Sequence, residues 1–259
     1  MIPTALIPIA LTIAGSDPSG GAGIQADLKT FHRLGVYGQS AVTLITAQNT
    51  RGVTAVELLS TDLVLAQIDA CLDDIGAGAI KTGALGSVAL IEAVAARLAH
   101  CPAIPLVLDP VLISKHGHPL AAPEAAQALV RHLLPRATVI TPNRHEAAAL
   151  AGRPVEGSDA ARALLDLGAK AVLLKGIGDG ADDLLVTADA EVRLPGLPIA
   201  TRSLHGTGCT YAAAVTAHLA RGLSLTDAAR HAKAFIAHAI VTAPTLGDPK
   251  GSGPVNHWA

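Results

Sequence analysis

The stretch Ile9-Ala10-Leu11-Thr12-Ile13-Ala14 runs directly into Gly15-Ser16-Asp17-Pro18-Ser19-Gly20-Gly21-Ala22-Gly23, and this junction predicts the fold. The first segment is mostly apolar and forms a candidate buried strand, while the glycine-rich segment predicts a tight turn. From Ile24 to Leu34, apolar residues recur at helical spacing. A strand, a turn and an amphipathic helix in this order are the repeating unit of a parallel α/β sheet.

Short apolar runs alternate with helical patterns along the rest of the chain. The last third is helical from Thr207 to about Arg221 and from Leu225 to about Val241. We therefore expect a doubly wound α/β sheet. No linker, low-complexity block or repeat divides the sequence, so residues 1–259 are expected to form a single domain. Candidate strands lie at residues 9–14, 40–46, 79–81, 105–108, 138–141 and 171–175, with a hairpin-like pair at 183–187 and 191–194.

Composition limits the class of partner. The 259 residues are 50% hydrophobic but only 2% aromatic, which suits a core of Ala, Val, Leu and Ile buried between helices. The formal net charge is −2 and basic residues are scattered, so we expect no nucleic-acid partner. No uninterrupted run of about twenty apolar residues occurs, and no membrane span is expected. Small molecules are the expected partners.

Cysteine usage indicates a reducing compartment. Cys71, Cys101 and Cys209 are odd in number, far apart and without zinc-binding spacing. The apolar run at residues 2–14 lacks a basic leading segment and is interrupted by two prolines, so we expect a first strand here and not a signal peptide. A cytoplasmic protein is therefore expected.

Polar and glycine-rich residues follow most of the predicted strands. In open α/β sheets, ligands bind beyond the carboxyl ends of the strands. We therefore expect these residues to converge on one ligand site at that edge of the sheet. They stand at residues 15–23, 48–50, 82–83, 109–110, 142–143 and 176.

A second glycine-rich turn, His205-Gly206-Thr207-Gly208-Cys209-Thr210, leads into an Ala-rich helical segment. Residues 206–209 are here called the anion turn. Their backbone N–H groups can converge on a phosphate at the start of this helix. The helix dipole should favour the thiolate of Cys209, which makes a nucleophile, a base or an anion contact plausible. The alternative is a buried small residue at a tight turn.

Two common nucleotide-binding motifs are absent from the sequence. No Gly-x-x-x-x-Gly-Lys-Ser/Thr occurs, and no Gly-x-Gly-x-x-Gly follows a predicted strand, so neither a P-loop nor a dinucleotide site is supported. Asn143 and Glu146 are spaced to share one helix face, where their oxygens could hold a hydrated magnesium ion. The alternative is a reciprocal capping pair that needs no metal.

Motifs spread over nearly the whole chain carry a family resemblance. They are the block at residues 10–30, Ala47-Gln48-Asn49-Thr50, Thr141-Pro142-Asn143, the turn at 205–210 and Gly253-Pro254-Val255-Asn256-His257. Together they resemble the hydroxymethylpyrimidine/phosphomethylpyrimidine kinases of thiamine biosynthesis. The cysteine in the anion turn separates this group from other ribokinase relatives, which usually carry an aspartate there.

The resemblance implies a ribokinase-like three-layer α/β/α sandwich with a mostly parallel central sheet. It implies phosphoryl transfer from Mg-ATP to the hydroxymethyl oxygen of 4-amino-5-hydroxymethyl-2-methylpyrimidine, and then to the phosphate of the resulting monophosphate. Such transfer depends mainly on positioning and on charge stabilisation. A homodimer is also suggested by the resemblance.

On the phosphate side, the resemblance implies that the amides of the anion turn bind the transferring group, with Cys209 as base or anion contact. Lys175 would neutralise ATP phosphates, the alternative being a surface lysine. Asp109 would lie near the metal or the phosphates unless it is only a turn residue at the end of a strand. The implied catalytic residues are Gly206, Thr207, Gly208, Cys209 and Lys175, and the implied magnesium residues are Asn143, Glu146 and Asp109.

On the substrate side, the Gln48 amide can donate and accept at once, which matches the edge of an aminopyrimidine. The resemblance gives Gln48 the same role. Asp17 could instead only tie the glycine-rich loop through an Asx-turn, and Asp27 could pair with Lys29 or Arg33 on a helix surface. The residues implied to line or support the substrate pocket are Gln48, Asp17, Ala22, Gly23, Asp27 and Val111.

Departures from the family pattern concern substrate choice. Ala84 stands where the family often has Met, which predicts a roomier pocket, and further differences fall at Leu204, residues 176–178 and Ser252. One alternative is therefore a pyridoxal or pyridoxine kinase, and another is a non-catalytic pyrimidine-binding or regulatory protein. The polar loop at residues 114–118 is a candidate lid, the alternative being an ordinary surface loop.

Overall fold

The computed structural model of the protein describes residues 7–113, 117–178 and 180–259, and the strands in these ranges form one sheet. Its strand order is β3-β2-β1-β4-β5-β6-β7-β8-β9, where β1 is Ile9–Ser16, β2 Tyr37–Asn49, β3 Gly52–Leu58, β4 Ala79–Thr82, β5 Leu106–Leu108, β6 Val139–Ile140, β7 Ala171–Ile177, β8 Asp182–Thr187 and β9 Glu191–Leu194. Neighbours from β2 through β7 pair in parallel. Antiparallel pairing adds β3 at one edge and β8 and β9 at the other.

Helices connect most of the described strands. They are α1 Gly23–Arg33, α2 Thr61–Asp74, α3 Val88–Leu98, α4 Ala125–Ala128, α5 Arg144–Ala151, α6 Gly157–Asp166, α7 Thr207–Ala220 and α8 Leu225–Val241. Helix α4 continues through a π-helical turn at Leu129–Leu133 and a 3-10 turn at Leu134–Arg136. None of the helices in the described ranges has the length and apolar character needed to cross a membrane.

The alternation of side chains along each strand builds the layers of the fold. Leu11 of β1 and Leu108 of β5 pack in one core with helices α2 to α6. On the opposite face, Val107 and Val139 pack with α7 and α8, while Ala10 packs with α1 and α7. The predicted three-layer α/β/α sandwich with a mostly parallel sheet is confirmed.

Most predicted elements are present, with shifted ends. The strand predicted at 40–46 extends to Tyr37–Asn49, and the hairpin of β8 and β9 is confirmed. Strand β3 was missed because its residues are all partly or fully exposed and therefore lack a buried apolar alternation. The first strand begins at Ile9, and the part of the N-terminal prediction before residue 7 lies outside the described residues.

Candidate active site

A cleft of about 640 Å³ lies at the carboxyl ends of the parallel strands, within the usual size range of small-molecule sites. It gathers the loops that the sequence placed at this edge of the sheet, so the predicted convergence is confirmed. Asp27 is the one predicted site residue that does not line it. The predicted residues that do are Asp17, Ala22, Gly23, Gln48, Asp109, Val111, Asn143, Glu146, Lys175, Gly206, Thr207, Gly208 and Cys209.

The anion turn lies at the centre of the cleft and opens helix α7, as predicted. Gly206 is the N-cap residue with φ at +79°, and a Cβ there would overlap the carbonyl oxygen of Gly21, so only glycine fits. No side chain caps the helix. The Thr207 N–H donates to the Leu204 carbonyl at 3.3 Å, and the next N–H groups of α7, those of Gly208 and Cys209, are available to an anion.

Cys209 is half-buried in the anion turn. Burial raises the pKa of its thiol to about 12, and the nearby carboxylates of Asp109 and Asp27 add to the effect, while Lys81 opposes it. The expectation that the helix dipole favours the thiolate is therefore wrong. Desolvation outweighs the dipole at this position, and Cys209 is a neutral thiol at neutral pH.

Lys175, at the end of β7, joins the anion turn to two carboxylates. Its Nζ lies 3.2 Å from Asp109 Oδ1 and 4.0 Å from Glu146 Oε2, and 3.5 Å from where a Cβ on Gly208 would stand. Burial would lower its pKa, but the charges of Asp109 and Glu146 raise it. The side chain is only 14% exposed, so the alternative of a surface lysine is wrong.

Asp109 is buried at the end of β5 and faces the same centre. Its Oδ1 accepts hydrogen bonds from the Thr141 hydroxyl at 3.1 Å and from Lys175 at 3.2 Å. Its Oδ2 is buried and has no hydrogen-bond partner among the described residues. A carboxylate oxygen left in this state has capacity to bind a further donor or a cation.

Asn143 and Glu146 form the capping pair that the sequence left as an alternative. Asn143 Oδ1 accepts from the backbone N–H groups of His145 and Glu146, and Glu146 Oε2 accepts from the Asn143 N–H at 2.8 Å. Burial and the charge of Asp109 raise the pKa of Glu146 to about 7, although Lys175 opposes this. A magnesium role for this pair stays a prediction.

The end of the cleft beside β2, here called the β2 end, carries a chain of polar side chains. Asp17 forms the Asx-turn that the sequence left open, because its Oδ1 accepts from the Ser19 N–H at 2.9 Å. Its Oδ2 lies 2.7 Å from His205 Nε2, which in turn lies 3.2 Å from the Gln48 amide. Burial would raise the pKa of Asp17, but hydrogen bonds from His205 and Ser19 lower it overall.

Asp27 lies beneath the cleft in a closed ion pair. Its Oδ2 accepts from Lys81 Nζ at 2.9 Å and from the Thr12 hydroxyl at 2.6 Å, and both charged side chains are 0% exposed. The surface pairing with Lys29 or Arg33 is therefore wrong. Asp27 supports the pocket from below and does not line it.

The opposite end, here called the α8 end, was not predicted from the sequence. Lys233 Nζ lies 2.7 Å from Asp183 Oδ2, and Asp183 Oδ1 accepts from the Gly176 N–H at 2.8 Å. These bonds join α8 to β8 and to Gly176 near the end of β7. Apolar side chains complete this end and offer a surface for a flat ring; they are Leu197, Ile199, Ile236 and Ile240.

Sequence reasoning also missed Lys81 and His205 as site residues. A signal for Lys81 was present, because a lysine within the apolar strand Ala79–Thr82 has to be paired. His205 lay in a quoted motif, but only the structure brings it between Gln48 and Asp17. The lid prediction falls on residues 114–118, of which 114–116 lie outside the described residues.

The fold and the cleft define a class of protein. A mostly parallel α/β/α sandwich with an uncapped helix N-terminus, a buried lysine and a buried carboxylate at its strand ends is a small-molecule phosphotransferase of the ribokinase-like type. The family model described as phosphomethylpyrimidine kinase matches residues 17–256, and the chain belongs to that family.

Relatives agree with this membership. A hydroxymethylpyrimidine/phosphomethylpyrimidine kinase of Rhizobium meliloti (strain 1021) is 49% identical over 258 residues, covering 96% of this chain and 97% of the relative. The pyridoxal kinase from Staphylococcus aureus in complex with AMP-PCP and pyridoxal has a TM-score of 0.87 and 38% identity, covering 98% of this chain and 94% of that one. A phosphomethylpyrimidine kinase from Clostridium difficile 630 has a TM-score of 0.79 and 42% identity, covering 90% of this chain and 99% of that one.

Proposed function

We propose that this protein transfers the γ-phosphoryl group of ATP to the hydroxymethyl oxygen of 4-amino-5-hydroxymethyl-2-methylpyrimidine, and then to the phosphate of the product. The diphosphate formed is the pyrimidine precursor of thiamine. Membership of the phosphomethylpyrimidine kinase family and the named relative support this activity. A single domain, a cytoplasmic location and a homodimer are further predictions from the sequence.

The observation that carries the proposal is the position of the anion turn between two different ends of one cleft. The β2 end offers Gln48 and Asp17 to a small polar heterocycle. The α8 end offers apolar side chains and the Asp183–Lys233 pair to a nucleotide. Two substrates held at these ends would bring the acceptor oxygen and the γ-phosphoryl group of ATP together at the anion turn, with ADP leaving, and this positioning is the main demand of phosphoryl transfer.

The residues of the centre have separate roles in this proposal. Lys175 neutralises charge on the transferring group, because its ammonium lies beside Gly208 and stays protonated. The amides of the anion turn donate to the oxygens of that group. Cys209 is a base or an anion contact in this proposal, and burial, which raises the pKa of its thiol to about 12, favours the contact. In the first step the proton of the hydroxymethyl group passes to an oxygen of the transferred phosphate or to water, and the second step needs no base, since the acceptor phosphate is already an anion.

The centre also suits magnesium. The unpartnered Oδ2 of Asp109 and the carboxylate of Glu146 are the oxygen donors that this ion prefers. No group of three or more His, Cys, Asp or Glu side chains that could hold a metal ion occurs among the residues described. When bound, magnesium would screen the phosphate charges of ATP.

Pyridoxal is the second candidate substrate. It is supported by Ala84, which lines the β2 end where the family often has a bulkier Met, and by the similarity to the pyridoxal kinase from Staphylococcus aureus. A non-catalytic binding protein is disfavoured, because the lysine, the carboxylates and the anion turn are all in place.

ADP release by the purified protein with Mg-ATP tests these proposals. Hydroxymethylpyrimidine, its monophosphate, pyridoxal and pyridoxine are compared at equal concentration. Turnover of both pyrimidines is the expected result. A higher kcat/KM for pyridoxal would reverse the order of the two candidates, and ATP binding without any ADP release would favour a binding protein.

A further inference from the structure

His205 is held rigidly where the C-terminal segment crosses the glycine-rich loop. Its backbone N–H donates to the Gly253 carbonyl at 2.9 Å, and its carbonyl accepts from the Val255 N–H at 3.3 Å. Its ring covers Gly21, where any Cβ would overlap the imidazole, and the residue is 3% exposed. The imidazole is therefore held by its packing against Gly21 and by the backbone hydrogen bonds of its own residue.

The proton on this imidazole is placed by Asp17. Asp17 Oδ2 lies 2.7 Å from His205 Nε2 and also accepts from the Ala22 N–H at 2.8 Å, while Oδ1 accepts from Ser19. Burial would raise the pKa of Asp17, but its carboxylate already accepts from the Ser19 N–H and hydroxyl and from the Ala22 N–H, which favour the ionised form with no proton to give. The hydrogen bond between the two side chains therefore requires that Nε2 carries the proton.

Gln48 meets the same nitrogen. Its amide nitrogen stands 3.2 Å from His205 Nε2. Two N–H donors cannot form a hydrogen bond with each other. Rotating the planar Gln48 amide by a half-turn places its Oε1 where its own Nε2 stood, so that the oxygen faces His205. With Oε1 facing the imidazole, one proton is shared between Asp17 at the shorter distance and Gln48 at the longer one.

We propose that His205 is a positioning residue that fixes the orientation of the Gln48 amide and thereby selects a 4-aminopyrimidine over its 4-oxo counterpart. This inference rests on the proposed function, in which Gln48 contacts the heterocycle. With Oε1 held towards His205, the NH2 group donates to a ring nitrogen and the second lone pair of Oε1 accepts from an exocyclic amine. A 4-oxo ring carries N–H and C=O at this edge, which is the reverse pattern.

The test compares kcat and KM for hydroxymethylpyrimidine and for its analogue with a 4-oxo group. We expect the wild-type protein to prefer the 4-amino compound by about 100-fold or more in kcat/KM, because the fixed amide faces a mismatched edge in the analogue. His205→Leu frees the amide to turn, so the preference should fall by about tenfold or more through KM. His205→Gln keeps an N–H donor between Asp17 and Gln48 and should restore the preference.

His218→Leu is the matched control, since it removes another buried histidine of the described chain that does not line the cleft. Equal losses on both compounds in His205→Leu, or an unchanged preference, would overturn the role of His205. A nitrogen-15 NMR spectrum of the histidines can be recorded on the wild-type protein, so this test does not depend on the folding of a variant. An unprotonated Nε2 of His205 in that spectrum would also overturn the proposal. Failure of the proposed function is distinguishable, because the wild-type protein would then release no ADP with either compound.

Discussion

Two buried lysines line the same cleft as the anion turn, and their environments differ. Lys81 is 0% exposed and forms a closed pair with Asp27, whose carboxylate also accepts from Thr12. Lys175 is 14% exposed, lies 3.2 Å from Asp109 and 4.0 Å from Glu146, and borders the cleft beside Gly208. In the first cluster, Lys81 with Asp27, the two charges balance each other. In the second, Lys175 with Asp109 and Glu146, the lysine ammonium faces the cleft, where it can act on a ligand.

The difference shows how one sheet edge can serve stability and chemistry with the same residue types. A closed buried pair contributes little beyond avoiding the penalty of an unpaired charge. An open cluster can change partners when a phosphate arrives, because Lys175 is shared between two carboxylates and is partly exposed to the cleft. Lys175 is therefore expected to act in catalysis and Lys81 in folding.

The largest expected effect is the loss of kcat in Lys175→Met. Removing the ammonium beside Gly208 should lower kcat by about 1,000-fold, because no other charge of the cluster can neutralise the transferring group. The free energy of unfolding should fall by less than in Lys81→Met, because Lys175 is partly exposed at the cleft, where water can reach the carboxylates. Steady-state ADP release measures the effect, and Lys170→Met, at an exposed position of the same chain segment, is the control. A kcat within tenfold of wild type would remove Lys175 from this role.

Lys81→Met should act on stability. The substitution leaves the Asp27 carboxylate buried and unpaired, so the free energy of unfolding should fall by about 3–5 kcal/mol. The double variant Lys81→Met/Asp27→Leu replaces the pair with apolar side chains and should recover most of the loss. Urea denaturation measures both. The comparison fails if Lys81→Met unfolds like wild type but loses kcat as Lys175→Met does.

The sequence predicted the two clusters to different extents. Lys175 and Asp109 were found because each ends an apolar strand, and strand ends converge at one edge of a sheet. The partner of Asp27 could not be predicted, since Lys81 lies 54 positions away on another strand and only the strand order brings β4 beside β1. The pKa shift of Cys209 was predicted in the wrong direction, because a turn motif does not show how deeply the thiol is buried. Strand β3 was missed for the opposite reason, as an exposed edge lacks apolar periodicity.

Glu146 should give only the open cluster a pH response near neutrality. Its pKa is raised to about 7 in the folded protein by burial, so the folded state binds more protons than the unfolded state between the usual pKa of 4.5 and this value. The contribution of Glu146 to the free energy of unfolding is full below pH 4.5. It is lost as the pH rises through 7, and the loss is about 2–3 kcal/mol. Urea denaturation with a chelator, at pH 5 and pH 8, measures it as the difference between wild type and Glu146→Gln. If both proteins lose equal stability, Glu146 does not titrate as described.

The smallest effect distinguishes the clusters by a single hydroxyl in each. Thr12 donates to Asp27 Oδ2 at 2.6 Å, and Thr141 donates to Asp109 Oδ1 at 3.1 Å. Thr12→Val should lower the free energy of unfolding by about 1–2 kcal/mol and leave kcat within about twofold, because the hydroxyl only completes a closed pair. Thr141→Val should destabilise less, since its hydrogen bond is the longer of the two, but the freed carboxylate should lower kcat by about tenfold. Urea denaturation and ADP release on both variants test this contrast. Equal changes in stability and in kcat for Thr12→Val and Thr141→Val would mean that the two clusters share one role and that exposure to the cleft does not separate them.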